Sequence, residues 1–310
     1  MKQHRPASIP FLLAALLLFA RAACAADPVG FNFMDPADND GGPAGYYQLV
    51  EGVQPTDIAG VVPQMNWNNL WQGGTGIPPG VAVGGGIFIT WATPGGGAHH
   101  LNYGATPGDS LLMRGYLDTG SATTDTITVY GQTFPLYDVI CYSKGDNGSE
   151  TRVGKFTLSA TNNGVLFTNL SKYIQDDGGS IFDGSTYIEA NSTSGFPSAA
   201  SGNYCRFYNV RGTNITILCT PNYGSQGNPR SPFNALQIVP IDVTPVLSNP
   251  SYANGQFQCF LNGATNASYI ILASTNLVNW FPVSTNIAPA QITNTPPANT
   301  PHRFYRAQFQ

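Results

Sequence analysis

The run Asn66-Trp67-Asn68-Asn69-Leu70-Trp71 holds the residue types best suited to recognition. Indole faces stack on the apolar faces of sugar rings, and amides both donate to and accept from hydroxyls. Side chains alternate along an extended strand, so Trp67, Asn69 and Trp71 would share one face. With Asn66 they make a candidate ligand-binding patch. The competing reading is that Trp67 and Trp71 cap a hydrophobic core while the asparagines shape a turn. A second constellation is acidic: Asp35, Asp38 and Asp40 in DPADNDGG. Calcium takes several oxygens from a loop that can wrap it, so these three are the candidate metal site and structural calcium the one cofactor the sequence offers. The spacing is not that of an EF-hand and the closing glutamate is absent, which leaves a plain Asp/Asn/Gly turn as the competing reading.

Catalytic arrangements are harder to assemble. Gly108-Asp109-Ser110-Leu111 spells GDSL, a motif in which one hydrolase family carries its serine nucleophile. Such a serine needs a histidine base and an oxyanion hole. The Asp-x-x-His block that supplies the base in that family does not occur; His302 has Asn299 three places before it. A glycoside hydrolase needs two carboxylates flanking the bond. Only three glutamates exist, Glu51, Glu150 and Glu189, and nothing in the sequence brings any two acids together. His99 and His100 are adjacent, so in a strand they would point to opposite faces. No His-Glu-x-x-His or Cys-x-x-Cys is present, and a catalytic zinc site has no support. No catalytic residue is assigned.

The elements that must carry these residues follow from composition. In 310 residues only 10% are charged, against a usual figure of about 25%. Glycine numbers 35, proline 24 and asparagine 26. Glu and Lys are scarce, which argues against a helical bundle. No basic excess exists for nucleic acid. Hydrophobic residues still make up 42%, enough for a core. Short alternating runs separated by Gly/Pro/Asn/Asp clusters carry the signature of an all-β chain. Strands are expected at 29–34, 87–92, 111–117, 126–130, 137–142, 152–158, 165–169, 186–190, 204–210, 214–220 and 235–239, with one short helical turn near 170–174. So many strands without helical periodicity predict a jelly-roll-like antiparallel β-sandwich over residues 26–240. A proline-bearing connector, 241–250, leads to a small β-module over 251–310, with strands at 256–262, 268–274 and 304–309.

Residues 1–25 predict an export signal. A basic start precedes the apolar run FLLAALLLFA, and Ala23-Cys24-Ala25 suits cleavage before Ala26. Arg21 stands where a lipobox would need an aliphatic residue. Cleavage would remove three basic residues, leaving ten against 17 acids and a net charge of −7. No second long apolar segment follows, so no membrane span is expected in the mature chain. Four cysteines remain, Cys141, Cys205, Cys219 and Cys259. A hairpin centred on Gly212 would set Cys205 opposite Cys219 on one face, a geometry that allows a cross-strand disulfide. Two buried thiols are the alternative.

The blocks VGFNFM, DIAGVVPQMNWNNL, LLMRGYLD, YDVICYS and SPFNALQIVP resemble an uncharacterised β-sandwich family of exported bacterial proteins. The tail, with ASTNLVNW and HRFYRAQ, resembles a small immunoglobulin-like repeat from the same secretomes. The resemblance implies a secreted or cell-surface accessory role and transfers no catalytic residue. Because the tryptophan run is itself one of these blocks, it also weighs toward packing. The expected function is thus an exported, non-catalytic protein binding carbohydrate or a cell-surface polymer. The alternatives are a structural or adhesive surface protein with no small ligand, and an ester hydrolase using Ser110.

Overall fold

The computed structural model describes residues 26–34, 52–71, 81–82, 86–94, 98–100, 108–179, 182–298, 300 and 302–310, with backbone alone at 71, 81–82 and 98–100. Residues 1–25, and with them the expected export signal, lie outside the described residues, as do Asp35, Asp38 and Asp40. In chain order come β1 (Val29–Met34), β2 (Asn68–Trp71), β3 (Val81–Ala82), β4 (Phe88–Ala92), β5 (Ala98–His100), the helical turn α1 (Asp109–Leu112), β6 (Gly115–Leu117), β7 (Asp125–Tyr130), β8 (Tyr137–Tyr142), β9 (Arg152–Asn162) and β10 (Val165–Asp176). Then follow β11 (Tyr204–Val210), β12 (Asn214–Gly224), β13 (Ala235–Pro240), β14 (Val246–Ala253), β15 (Gln256–Asn262), β16 (Ser268–Ser274), β17 (Phe281–Ile287), β18 (Ala290–Asn294) and β19 (Phe304–Phe309).

The fold is all-β, as the alternation predicts. A five-stranded sheet, β11-β8-β13-β1-β2, and a six-stranded sheet, β10-β9-β12-β7-β4-β3, form the larger sandwich. Its described strand-to-strand ladders are antiparallel except β1 with β2, and the isolated bridges Gln175↔Ser201 and Glu189↔Tyr204 are parallel. Apolar residues from both sheets meet between them: Phe31, Phe33, Tyr137, Val139 and Phe207 from one, Ile89, Ile127, Phe156, Ile215 and Ile217 from the other. Asn163 and Gly164, both at positive φ, close the β9–β10 hairpin with a two-residue turn whose twist suits the flanking strands. Asn254 and Gly255 do the same between β14 and β15.

The two faces turned away from this core differ. Over the five-stranded sheet lies a second apolar layer. Val53, Ala59 and Trp67 from residues 52–67, Leu111, Leu112 and Met113 from around α1, and Phe182 pack onto Ile140, Tyr142 and Ala235 of the sheet. The outer face of the six-stranded sheet carries polar side chains instead.

The C-terminal strands form two three-stranded sheets, β14-β15-β18 and β17-β16-β19, around Cys259, Leu261, Tyr269, Ile271 and Ile292. Leu136, from the turn before β8, is buried in that same cluster. Its carbonyl accepts the Ile241 N–H at 3.0 Å, and Arg211 donates to the Gln310 carbonyl at 2.8 Å while its guanidinium covers the Phe309 ring at 4.6 Å. The expected connector is shorter than 241–250, because β14 begins at Val246.

Three local expectations are corrected. Residues 170–174 are not helical but belong to β10, which pairs with β9 from Leu170↔Leu158 through Ile174↔Gly154. The stretch 111–117 is a helical turn and then a short strand; Gly108 sits at positive φ against the Ile58 carbonyl, where a Cβ would come within 2.8 Å, and starts the turn there. The hairpin centred on Gly212 does not form. β11 pairs with β8 in the five-stranded sheet, while β12 pairs with β7 and β9 in the other. Residues 211–213 carry the chain across the sandwich, and a Cβ on Gly212 would lie 2.9 Å from the Thr161 backbone. Cys205 and Cys219 therefore face the core from opposite sheets, about 10 Å apart at the backbone. That exceeds the reach of a disulfide, and no bond joins Cys205 to Cys219.

Candidate functional site

Of the predicted aromatic and amide patch, Trp67 is drawn into packing while Asn66 and Asn69 stay exposed. Trp67 is 5% exposed, its Nε1 donates to the Ala59 carbonyl at 3.2 Å, and its ring meets Tyr142 edge to face. Gly30 lies so close beneath the ring that a Cβ there would stand 2.4 Å from it. Asn69 donates to the Val53 carbonyl at 2.9 Å and accepts from Asn32 at 3.1 Å. Asn66 occupies a left-handed turn position, with φ 58°. Trp67 and Asn69 hold residues 52–67 onto the five-stranded sheet; the Trp67 ring is enclosed, whereas Asn66 and Asn69 keep exposed surface. The Trp71 side chain lies outside the description.

The GDSL motif has an architectural use here. Asp109 accepts the Gly60 N–H at 2.8 Å and the Tyr187 hydroxyl at 2.7 Å, tying together three segments of the covering layer. Ser110 is buried beside it. The one histidine whose side chain is described, His302, belongs to the C-terminal module.

Carboxylates meet in a place the sequence did not indicate. Burial pushes the Asp125 carboxyl up to about 8, and the neighbouring Asp118 charge adds to the shift. Asp118 itself is bound to Arg230 at 2.8 Å. One raised and one cation-held acid is the arrangement of an acid/base pair. Asp125, however, exposes no surface and points into the sandwich beside Ile127 and Cys219, where a substrate does not reach. The other ion pairs brace the fold. Lys144 and Asp176 form a buried pair, with burial pushing the Asp176 carboxyl up against the pull of the Lys144 charge. Arg206 grips Asp138 at 2.6 Å on the outer side of the five-stranded sheet. Among the described residues no group of three or more His, Cys, Asp or Glu is placed to hold a metal.

Among the described residues, one surface available for recognition is the outer face of the six-stranded sheet. Ladder register arranges its side chains in rows. One row runs Thr90, Thr128, Thr216, Ser159, Asn169, and the next Ala92, Thr126, Leu218, Thr157, Ser171. A third joins Thr220, Lys155 and Tyr173, with Thr124 bonded to Thr220 at 3.1 Å. The fourth sets Phe88 beside Tyr130, and Asn214 beside Thr161. Strand spacing makes the grid about 4.8 Å by 6.6 Å, and the whole face roughly 20 Å on a side. Neighbouring hydroxyls pair across strands, Thr157 with Ser171 at 3.0 Å among them, so each retains capacity toward solvent. Lys155 is the one formal charge in these rows. Phe88 and Tyr130 form an exposed aromatic edge at one end. At the other end the Tyr173 N–H donates to the Ser192 carbonyl of the 191–201 excursion, whose exposed Phe196 stacks at 3.6 Å on the half-buried Tyr223 of β12. Sequence reasoning passed over this face, although its signal is present: TDTITVY, KFTLSAT and NITILCT each alternate hydroxyl or amide with apolar residues.

No protein-family model matches the chain, and no curated protein matches it. Among solved structures it is similar to a β-1,2-glucanase from Parabacteroides distasonis, at 10% identity and a TM-score of 0.21, over 68% of this chain and 32% of the glucanase chain. The chain thus spans about a third of that protein's length, and a likeness so low carries no argument about activity.

Proposed function

We propose that the chain is an exported binding protein that engages a carbohydrate polymer on the outer face of its six-stranded sheet. The observation that carries this reading is the register-aligned grid of Thr, Ser and Asn side chains between aromatic edges. Its chemistry matches a polyhydroxylated ligand. Hydroxyls and amides exchange hydrogen bonds with sugar hydroxyls in both directions, while the Phe88 and Tyr130 rings offer apolar faces for stacking. With Lys155 as the only charge among the described residues of its rows, the face suits a neutral polymer better than a nucleic acid or an anionic membrane. Among the described residues no helix is long and apolar enough to cross a membrane. None of the carboxylates described above lies in the grid, which favours retention of a ligand over its hydrolysis.

Retention on insoluble polysaccharides tests this. The intact chain should bind at least one neutral polymer. Thr216→Lys or Tyr130→Ala should weaken binding roughly tenfold, a loss of about 1.4 kcal/mol, without lowering the melting temperature. Failure to bind any polysaccharide, or binding that ignores both substitutions, overturns the proposal.

An adhesive role without a small ligand is supported by a different observation. Leu277 and Val278, on a loop that Asn276 shapes by accepting the Val278 and Asn279 N–H groups, and Phe281, at the start of β17, are all exposed. Trp280 lies beside them under the Arg306 guanidinium at 4.4 Å. If that patch holds a surface partner, Phe281→Asp releases the protein from the cell surface, whereas Thr216→Lys does not.

A further inference from the structure

Three of the four described cysteines converge in the core of the larger sandwich. Cys141 on β8 and Cys205 on β11 are direct partners in an antiparallel ladder. Both point inward: Cys141 joins Tyr137 and Val139, and Cys205 joins Phe207, while the alternate residues Ile140 and Tyr142 reach the covering layer. Opposed residues in such a ladder have Cα atoms about 4.5–5.5 Å apart. A disulfide spans about 4.4–6.8 Å. Cys219 also faces this spot, but from the opposite sheet, and packed sheets lie about 10 Å apart. Burial raises the Cys141 thiol, and a hydrogen bond with the Cys205 thiol raises it further.

We propose that Cys141 and Cys205 form an intramolecular disulfide when the chain folds in an oxidising medium. The step is a thiol–disulfide exchange with a small-molecule disulfide. One protein thiolate attacks the reagent to give a mixed disulfide and release one reagent thiol. The second thiolate then displaces the other, so the two cysteines are oxidised and the reagent is reduced to two thiols. Both sulfurs are sealed in the finished sandwich, so the exchange belongs to folding. Cys219 and Cys259 stay reduced. The bond would fasten β11, the edge strand of its sheet, whose pairing with β8 breaks register between Phe207 and Val210. The pairing rests on ladder geometry alone and stands whatever ligand the chain binds.

Refolding the denatured full chain with oxidised and reduced glutathione, followed by alkylation and peptide mapping, tests the pairing. The expected product joins the Cys141 and Cys205 peptides, lighter by two hydrogens, with Cys219 and Cys259 alkylated. It should melt roughly 10 °C above the reduced protein, given the long loop it closes. Cys219→Ala should keep the link, and the double variant Cys141→Ala/Cys205→Ala should lose both the link and the response to reductant. Alkylation of Cys141, Cys205, Cys219 and Cys259 alike, a link through Cys219 or Cys259, or a melting point indifferent to the link overturns the proposal.

Discussion

Asp125 stands opposite Cys219 on the β7–β12 ladder, and no donor reaches either oxygen of its carboxylate. Thr93 and Trp91, at the end of the neighbouring β4, hold two more buried polar atoms without partners, Oγ1 and Nε1. A charge is costly in such surroundings unless it is paired, so the group holds its proton instead. Asn32 Oδ1 on β1 and Ser231 Oγ are likewise buried without a partner.

The consequence is a dependence of stability on pH with a definite sign. The folded Asp125 titrates near 8, whereas an unfolded aspartate titrates near 3.9. Between those values folding takes up one proton, so stability falls as pH rises, by about 1.4 kcal/mol per pH unit, and levels off above 8. Asp125→Asn should abolish that slope and gain on wild type from pH 5 to pH 8. Urea unfolding of both proteins at the two pH values measures this; a stability difference that does not change with pH would falsify it.

Asp109 and Ser110 are neighbours in GDSL with unequal burdens. Asp109 holds Gly60 and Tyr187, and hydrogen bonds to a charged acceptor contribute about 1.5–3 kcal/mol. Asp109→Ala should therefore cost about 2–4 kcal/mol, and Tyr187→Phe about 1–2 kcal/mol. Ser110→Ala should cost less than either and leave any ester-hydrolysing activity of the preparation unchanged. Chemical denaturation ranks the three variants. An esterase signal that vanishes with Ser110→Ala would restore the hydrolase reading.

What the sequence discloses divides along a physical line. Alternation along a strand reports which side chains are buried, and it located β1, β8, β11 and β16 within a residue or two. The Asn163-Gly164 turn is written in local sequence too, although the strands are expected there without it. Alternation does not say which sheet a strand joins. Cys205 and Ile217 face one core whether their strands form a hairpin or oppose each other across the sandwich, so the pairing of β11 with β8 was hidden. Trp67 shows the same limit from another side. Its neighbours in sequence are amides suited to sugar, yet its neighbours in space are Gly30, Ala59 and Tyr142, all brought there by long-range folding. The hydroxyl grid was visible strand by strand, but a row across five strands exists only once register is known.

Leu136 ties the two sandwiches together, and that joint can be tested. It precedes β8 of the larger sandwich, yet is 2% exposed within the core of the smaller one, among Cys259, Leu261 and Tyr269. Its carbonyl also anchors Ile241, where the chain leaves β13. Removing such a side chain leaves a cavity, so Leu136→Ala should destabilise by about 2–5 kcal/mol. Leu136→Asp would place a charge in the apolar seam and should separate the modules outright. Wild type should then unfold in one calorimetric transition, and Leu136→Asp in two, with the smaller module melting first because it buries less surface. Limited proteolysis should cut the variant within residues 241–245 while sparing wild type. A single transition in both proteins, with cleavage patterns alike, would show that the strands beyond Val246 are held by something other than this leucine.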